Sequence, residues 1–525
     1  MTNVQPQKEC YLFLKNALVE KPDCFDNYQE MLFQALTILF QRNFVDLQKI
    51  SGIAITQIKS KYDITTHAVF DPNNREVTFF QDTLVKLVLE KTICADIAFE
   101  LFLTDIRRFI LLHYRKNQCL PVDPTFVSSQ ALQCFNNEHI FNEPDDESDA
   151  LCHITASLNN NSREVNLDAF VEPLLILSMY QPIKDQATAI EFARRPLEEI
   201  PVFLRPVIGR MVQEPLEEQG IAENIPTFGL IGSNTSKSVR AQYEENPYPR
   251  WVTTRGRSAS VQDVFHRYQI PLPALSTGER IKVLVPGCGT GRHPISIAMG
   301  SPDVDIVAID ISKASLSYGK RMANHYGIKN ITFLHGDILD LPNIPIKERG
   351  FHYIECAGVI HHMENQEEGW QAIENCLLPG GIVYVGVYSK AARILVTFLR
   401  IEIERLGLQP NTKDIKAFRS RLIHDAVKRV LIEKNTSVDL FTLSQFRDLF
   451  FHVSEHQNRL SQIEDISRQL KLKFLGFRIT SPLLRKKYLE RYPADPTMNS
   501  FSNWIDFEPF YVGSREMFHA WFQKR

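Results

Sequence analysis

Between residues 281 and 388 the chain alternates short apolar runs with longer stretches of helical period. The runs at 281–285, 304–309, 331–334, 353–356 and 382–388 are nearly continuous in Val, Ile, Leu and Tyr rather than alternating in polarity. Such runs predict strands buried on both faces, as in a parallel sheet covered by helices. Each of the first four closes on distinctive residues: Gly287, Gly289 and Gly291; then Asp310; then Asp337; then A-G-V-I-H-H-M. A helix is predicted over 366–378, and Leu378-Pro379-Gly380-Gly381 turns into the fifth run.

Upstream, the period is helical. Leu84, Val88, Ile97, Leu101, Ile106 and Ile110 recur on one face of a stretch that Asp82 opens as N-cap and that reaches Tyr114. Asp123-Pro124 marks a second start and 167–180 a third helix. After the fifth strand comes a helical insertion of about eighty residues, then a sixth strand at 473–479. Residues 517–524 read either as a seventh strand at the sheet edge, with Phe518, Ala520 and Phe522 on one face, or as a closing helix. The expected organisation is a helical N-terminal domain (1–224), a linker and lid segment (225–251) and an α/β domain (252–525) with its insertion at about 391–470.

Composition narrows the class. With 44% hydrophobic and 23% charged residues and a net charge of −3, this is an ordinary globular chain with no general attraction for polyanions. No apolar run is long enough to cross a bilayer. Nine scattered cysteines without Cys-x-x-Cys, and an N-terminus without a signal peptide, predict a reduced cytoplasmic setting.

The glycines carry the chemistry. Three at alternate positions let the backbone turn tightly and approach a ligand, and the helix behind them presents free N–H groups. Asp310, about twenty residues on, stands where ribose hydroxyls are gripped in dinucleotide-type folds. A nicotinamide fingerprint would place its third glycine at 292, which is Arg292, and no Gly-Lys-Ser/Thr closes the turn as a P-loop requires.

P-G-C-G-T-G, Asp310, G-D-I and L-P-G-G together resemble the class I, Rossmann-like S-adenosylmethionine-dependent methyltransferases. L-Q-C-F-N-N-E, Q-Y-E-E-N-P-Y-P-R-W, G-V-I-H-H-M, G-V-Y-S and F-R-D-L-F-F-H-V-S-E-H are similar to a bacterial branch often found behind tetratricopeptide repeats, although no repeat consensus precedes them here. The resemblance implies a mostly parallel sheet and S-adenosyl-L-methionine as cofactor. It implies contacts from Pro286, Gly287, Cys288, Gly289 and Gly291, from Asp310 and Ile311, from Asp337 and Ile338, and from Cys356. The family usually carries an acid two positions before Gly287; here that position is Val285.

The prolines of Q-Y-E-E-N-P-Y-P-R-W stiffen a segment that reads as a lid over the cofactor, with Tyr243 and Arg250 on it, or as packing between domains. Methyl transfer needs a base only where the acceptor must lose a proton. The candidates are His361 and His362, just past the fourth strand, with His361 the first to test, and His452 with Glu455 from the insertion. H-V-S-E-H (452–456) also spells an inverted zinc-peptidase motif, a short pattern common by chance. The expected function is methyl transfer to an unidentified protein or small-molecule acceptor; the alternative is a cofactor-binding interaction protein that works through its helical half.

Overall fold

The computed structural model describes residues 26–525 except 43–44, 66–69, 71–76, 160–166, 256–258, 274, 277, 346–349, 436–437 and 512–516. The chain divides into two compact units. The first comprises Met1–Glu217 with Arg250–Arg255 and Asn411–Phe446; the second comprises Glu218–Pro249, Gly256–Pro410 and Arg447–Arg525.

The first unit is helical. Asp82 caps Thr83–Lys91 by accepting from the N–H groups of Leu84 and Val85. The periodic stretch to Tyr114 is not one helix, because it breaks over 92–96 and restarts as Ile97–Asn117. Asp96 causes the restart by accepting from Phe99 N–H at 2.8 Å. The freed carbonyls of Leu89, Glu90 and Thr92 all accept from the Asn136 amide at 3.1–3.2 Å. That partner lies on the next helix, Pro124–Asn136, whose cap is Asp123 as its sequence predicts. Residues 411–446, from the stretch read as an insertion, join this unit through Arg419 and Glu100, a buried bidentate pair with both contacts at 2.6 Å.

The second unit is built on a seven-stranded sheet in the order β3-β2-β1-β4-β5-β7-β6. Its strands are β1 Lys282–Pro286, β2 Asp305–Asp310, β3 Ile331–His335, β4 Phe351–Ala357, β5 Leu377–Tyr388, β6 Leu472–Phe477 and β7 Met517–Lys524. β1 to β5 run parallel, and β7 runs antiparallel to both its neighbours. The apolar runs therefore became strands buried on both faces, β4 most completely.

The last strand departs from expectation: β7 is interior and β6 takes the edge. Each face of β7 carries a large buried aromatic side chain that needs neighbours. Phe522 packs edge-on against Trp370 at 5.5 Å, while Trp521 on the other face lies 4.6 Å from Tyr268 and 5.1 Å from Tyr384. Burying aromatic side chains of this kind contributes roughly 1.5–3 kcal/mol each.

Much of the stretch read as a linker is also ordered. Thr227 bridges to His335 at the end of β3, and Ser233 caps a helix over Asn234–Glu245. Among the described residues, no helix is long and apolar enough to cross a membrane.

Candidate functional site

The site forms at the carboxyl ends of β1, β2 and β4. From Pro286 the chain turns through Gly287, Gly289 and Gly291, at φ of +66°, +53° and +76°, into the helix Arg292–Gly300. Neighbouring atoms also exclude side chains here. A Cβ on Gly287 would lie 2.5 Å from Val359 Cγ2, and one on Gly289 would collide with the Tyr248 carbonyl oxygen. The Cys288 N–H donates to Ile309 at 2.9 Å and ties the turn to β2.

Asp310 closes β2. Its Oδ2 accepts from Gly289 N–H at 2.7 Å and its Oδ1 from Ser312 N–H at 2.9 Å. Only 7% of the residue is exposed, and burial pushes its carboxyl up to about 6 against the pull of those bonds, with Glu244 adding to the rise. The Ile311 N–H also favours the carboxylate, and with about four lone-pair sites on its two oxygens acceptor capacity remains. Asp337, past β3, is 6% exposed and, among the described residues, uses Oδ1 to cap Leu339 N–H at 3.0 Å.

Residues 243–249 lie against the glycine turn as a strap. Thr290 donates its N–H to the Tyr248 carbonyl at 3.0 Å and its hydroxyl to that of Pro249 at 2.6 Å. Glu244 accepts from the N–H groups of Lys313 and Ala314, at 2.7 and 3.1 Å, at the start of the helix Lys313–His325. The Tyr243 carbonyl accepts from the Ser312 hydroxyl at 3.0 Å, one bond away from Asp310.

Tyr243 also leads into a buried cluster of histidines. Its hydroxyl donates to Asp448 Oδ1 at 2.7 Å and lies 3.0 Å from His452 Nε2. His452 Nδ1 accepts from Ser454 N–H at 3.0 Å, so the neutral ring carries its proton on Nε2 and donates it to the tyrosine oxygen. His362 donates from Nδ1 to the Ser454 carbonyl at 2.8 Å and keeps a lone pair on Nε2. His361 is fully buried, its ring 3.9 Å from that of Tyr388, and among the described residues neither ring nitrogen has a hydrogen-bond partner.

Burial holds all three imidazoles neutral, His362 near 4 and the other two well below the ordinary range. Burial raises Asp448 instead, to about 6. His361 stands two residues past Val359, the residue against Gly287, so the cluster borders the turn.

Three of these residues, His362, Asp448 and His452, bring one potential metal ligand each within 4.8 Å of one another. Two features oppose a metal. The rings of His362 and His452 are stacked, with centroids 3.7 Å apart and planes 26° from parallel, so their in-plane lone pairs run side by side rather than converge. The Ser454 N–H also leaves His452 Nε2 protonated. The H-V-S-E-H motif is not helical: the helix Leu443–Phe451 ends before it.

Glu455 serves a different purpose. It accepts from Arg393 at 2.5 Å and Arg400 at 2.9 Å, and its side chain is 1% exposed. Burial opposes its charge, yet the two arginines outweigh burial and hold its carboxyl below the usual range. Arg393 in turn stacks over Tyr388 at 3.9 Å.

Of the residues singled out from the sequence, the glycines, Pro286, Cys288, Asp310 and Tyr243 gather around the turn or its strap; Asp337 follows Gly336, whose N–H donates to the Asp310 carbonyl at 3.1 Å. Ile311 contributes its carbonyl, which accepts from His335 Nε2 at 3.1 Å. Ile338 and Cys356 are core residues, and burial pushes the Cys356 thiol up to about 12. Arg250 belongs to the first unit, where its guanidinium covers Phe135 at 4.6 Å.

Asp448, Tyr388, Arg393, Arg400 and Glu355 were not anticipated. Glu355 is buried on β4 and lies 2.9 Å from His293 Nε2. One signal was available: Asp448 precedes His452 by four residues, the spacing of neighbours on a helix.

Residues 278–410 match the family model described as a methyltransferase domain. The chain is 30% identical over 173 residues to an uncharacterized protein of Synechococcus sp., covering 32% of this chain and 40% of that one. It is 26% identical over 110 residues to the tRNA (guanine-N(7)-)-methyltransferase of Mycobacterium leprae, covering 19% of this chain and 48% of that one. It thus spans less than two thirds of the length of these curated relatives. PKMT2 from Rickettsia typhi is similar in structure at 18% identity, covering 48% of this chain and 52% of that one, with a TM-score of 0.35.

Proposed function

From a chain that carries a class I methyltransferase domain, we propose that the protein transfers a methyl group from S-adenosyl-L-methionine to a protein or small-molecule acceptor. The observation that carries this reading is Asp310: a buried carboxylate joined to the glycine turn, with acceptor capacity left beyond its backbone donors. Its raised pKa marks a charge that its present donors undercompensate, so two ribose hydroxyls would find it ready. Asp337, whose Oδ2 has no hydrogen bond among the described residues, would offer that oxygen to an adenine amino group in the same way. The residues therefore fit the cofactor.

Bound there, the cofactor supplies an activated methyl group on a sulfonium. The protein aligns the acceptor and excludes water. The strap supports both tasks, because Tyr248 and Pro249 lie on the turn while Tyr243 reaches the histidine cluster. Val285, buried in β1, carries no charge to offer a methionine ammonium, which other groups would hold. The test is calorimetric titration of the full chain with S-adenosylhomocysteine. Binding that Asp310→Ala weakens by roughly 2–3 kcal/mol is expected, on the scale of lost charge-assisted bonds. No binding to the intact protein would end the proposal.

A further inference from the structure

We infer that Asp448 takes up the proton an acceptor loses on methylation, and that the Tyr243 hydroxyl hands it over. This rests on the methyltransferase reading above.

The hydrogen bonds set the direction. Tyr243 already donates to Asp448 at 2.7 Å and accepts from His452 Nε2–H, which leaves one lone pair on its oxygen. An acceptor X–H can donate to that lone pair. As the S–CH3 bond breaks and the X–CH3 bond forms, the X–H proton moves to the Tyr243 oxygen. Tyrosine's own proton passes to Asp448 Oδ1. Before the step the site holds a sulfonium and a carboxylate; after it, a thioether and a carboxylic acid. No buried charge is created and one opposed pair is removed, the favourable outcome in a low-dielectric site.

The histidines are worse proton sinks. An imidazolium at His361, His362 or His452 would be a buried cation close to Arg393 or Arg400. Asp448 faces Tyr243 from the helix Asn234–Glu245, His452 and Glu455 from the segment past its own helix, His362 from beyond β4, and Arg393 and Arg400 from the stretch after β5. Burial dominates in that setting and brings its carboxyl to about 6, where a proton can be taken up and released near neutrality. His361, with neither nitrogen hydrogen-bonded among the described residues, is left to orient the acceptor.

The test uses two cofactor analogues on the full chain: sinefungin, whose primary ammonium replaces the methylsulfonium, and uncharged S-adenosylhomocysteine. Calorimetry at pH 6 in two buffers of different ionisation enthalpy counts the protons released on binding. The ammonium should ionise Asp448, so sinefungin should release about half a proton more than S-adenosylhomocysteine. Asp310 contributes equally to both and cancels. The difference should vanish in Asp448→Asn. In Tyr243→Phe, which removes a bond favouring the carboxylate, it should persist with its midpoint moved to higher pH. Equal release by both analogues, or a difference that survives Asp448→Asn, overturns the inference. Failure of both analogues to bind overturns the methyltransferase reading instead.

Discussion

The carboxyl of Asp310 makes cofactor affinity a function of pH, and the size of the effect can be worked out. Its pKa lies near 6 rather than at the ordinary 3.8, chiefly because it is buried, with Glu244 adding and the N–H groups of Ser312 and Gly289 opposing. The ionised form is the strong acceptor for both ribose hydroxyls, whereas protonation removes the charge and turns one oxygen into an O–H donor. With that pKa, about 97% of the free protein is competent at pH 7.5 and about 9% at pH 5, so the apparent Kd should rise about tenfold, or ~1.4 kcal/mol.

The sign for stability is the reverse. A carboxyl whose folded pKa exceeds its unfolded value favours the folded state below about 4, and that benefit is lost as pH rises through about 6. The unliganded protein should therefore lose this contribution toward neutrality while ligand affinity grows. The assay is calorimetry with S-adenosylhomocysteine from pH 5 to 7.5, repeated with Asp310→Asn. Asparagine keeps the size of the side chain and does not titrate, so its affinity should be weaker and flat with pH. A wild-type Kd independent of pH, or a bend near 6 that persists in the variant, would refute the assignment of Asp310 to the ribose.

Three further outcomes are expected. Glu455→Gln should lower unfolding free energy by roughly 3–5 kcal/mol in denaturant titrations, because Arg393 and Arg400 would be left facing each other without their carboxylate; a change below about 1 kcal/mol would mean the triad is not a structural unit. Gly289→Ala, at φ +53° and against the Tyr248 carbonyl, should displace the strap and be read as faster proteolytic cleavage near 246–249 together with weaker S-adenosylhomocysteine binding. Phe522→Ala should cost roughly 3–5 kcal/mol, since the ring is fully buried between Trp370 and Phe474, and chemical denaturation measures it.

The sequence alone determined what is local or periodic. Continuous apolar runs specify strands covered on both faces, and the φ of Gly287, Gly289 and Gly291 follows from a turn that only glycine adopts freely. The caps Asp82 and Asp123 act within three residues of themselves, so they too were legible. What depended on partners distant in the chain was not. The break at 92–96 is held by Asn136, and the interior place of β7 depends on Trp370 and Tyr268. H-V-S-E-H spells a metal site, but only the folded chain stacks His452 on His362 and gives Glu455 to two arginines. Asp448 and Tyr243 stand 205 residues apart and meet at 2.7 Å. Side-chain chemistry is written in the sequence; which groups share a buried space, and hence which of them holds a proton near neutrality, is decided by packing.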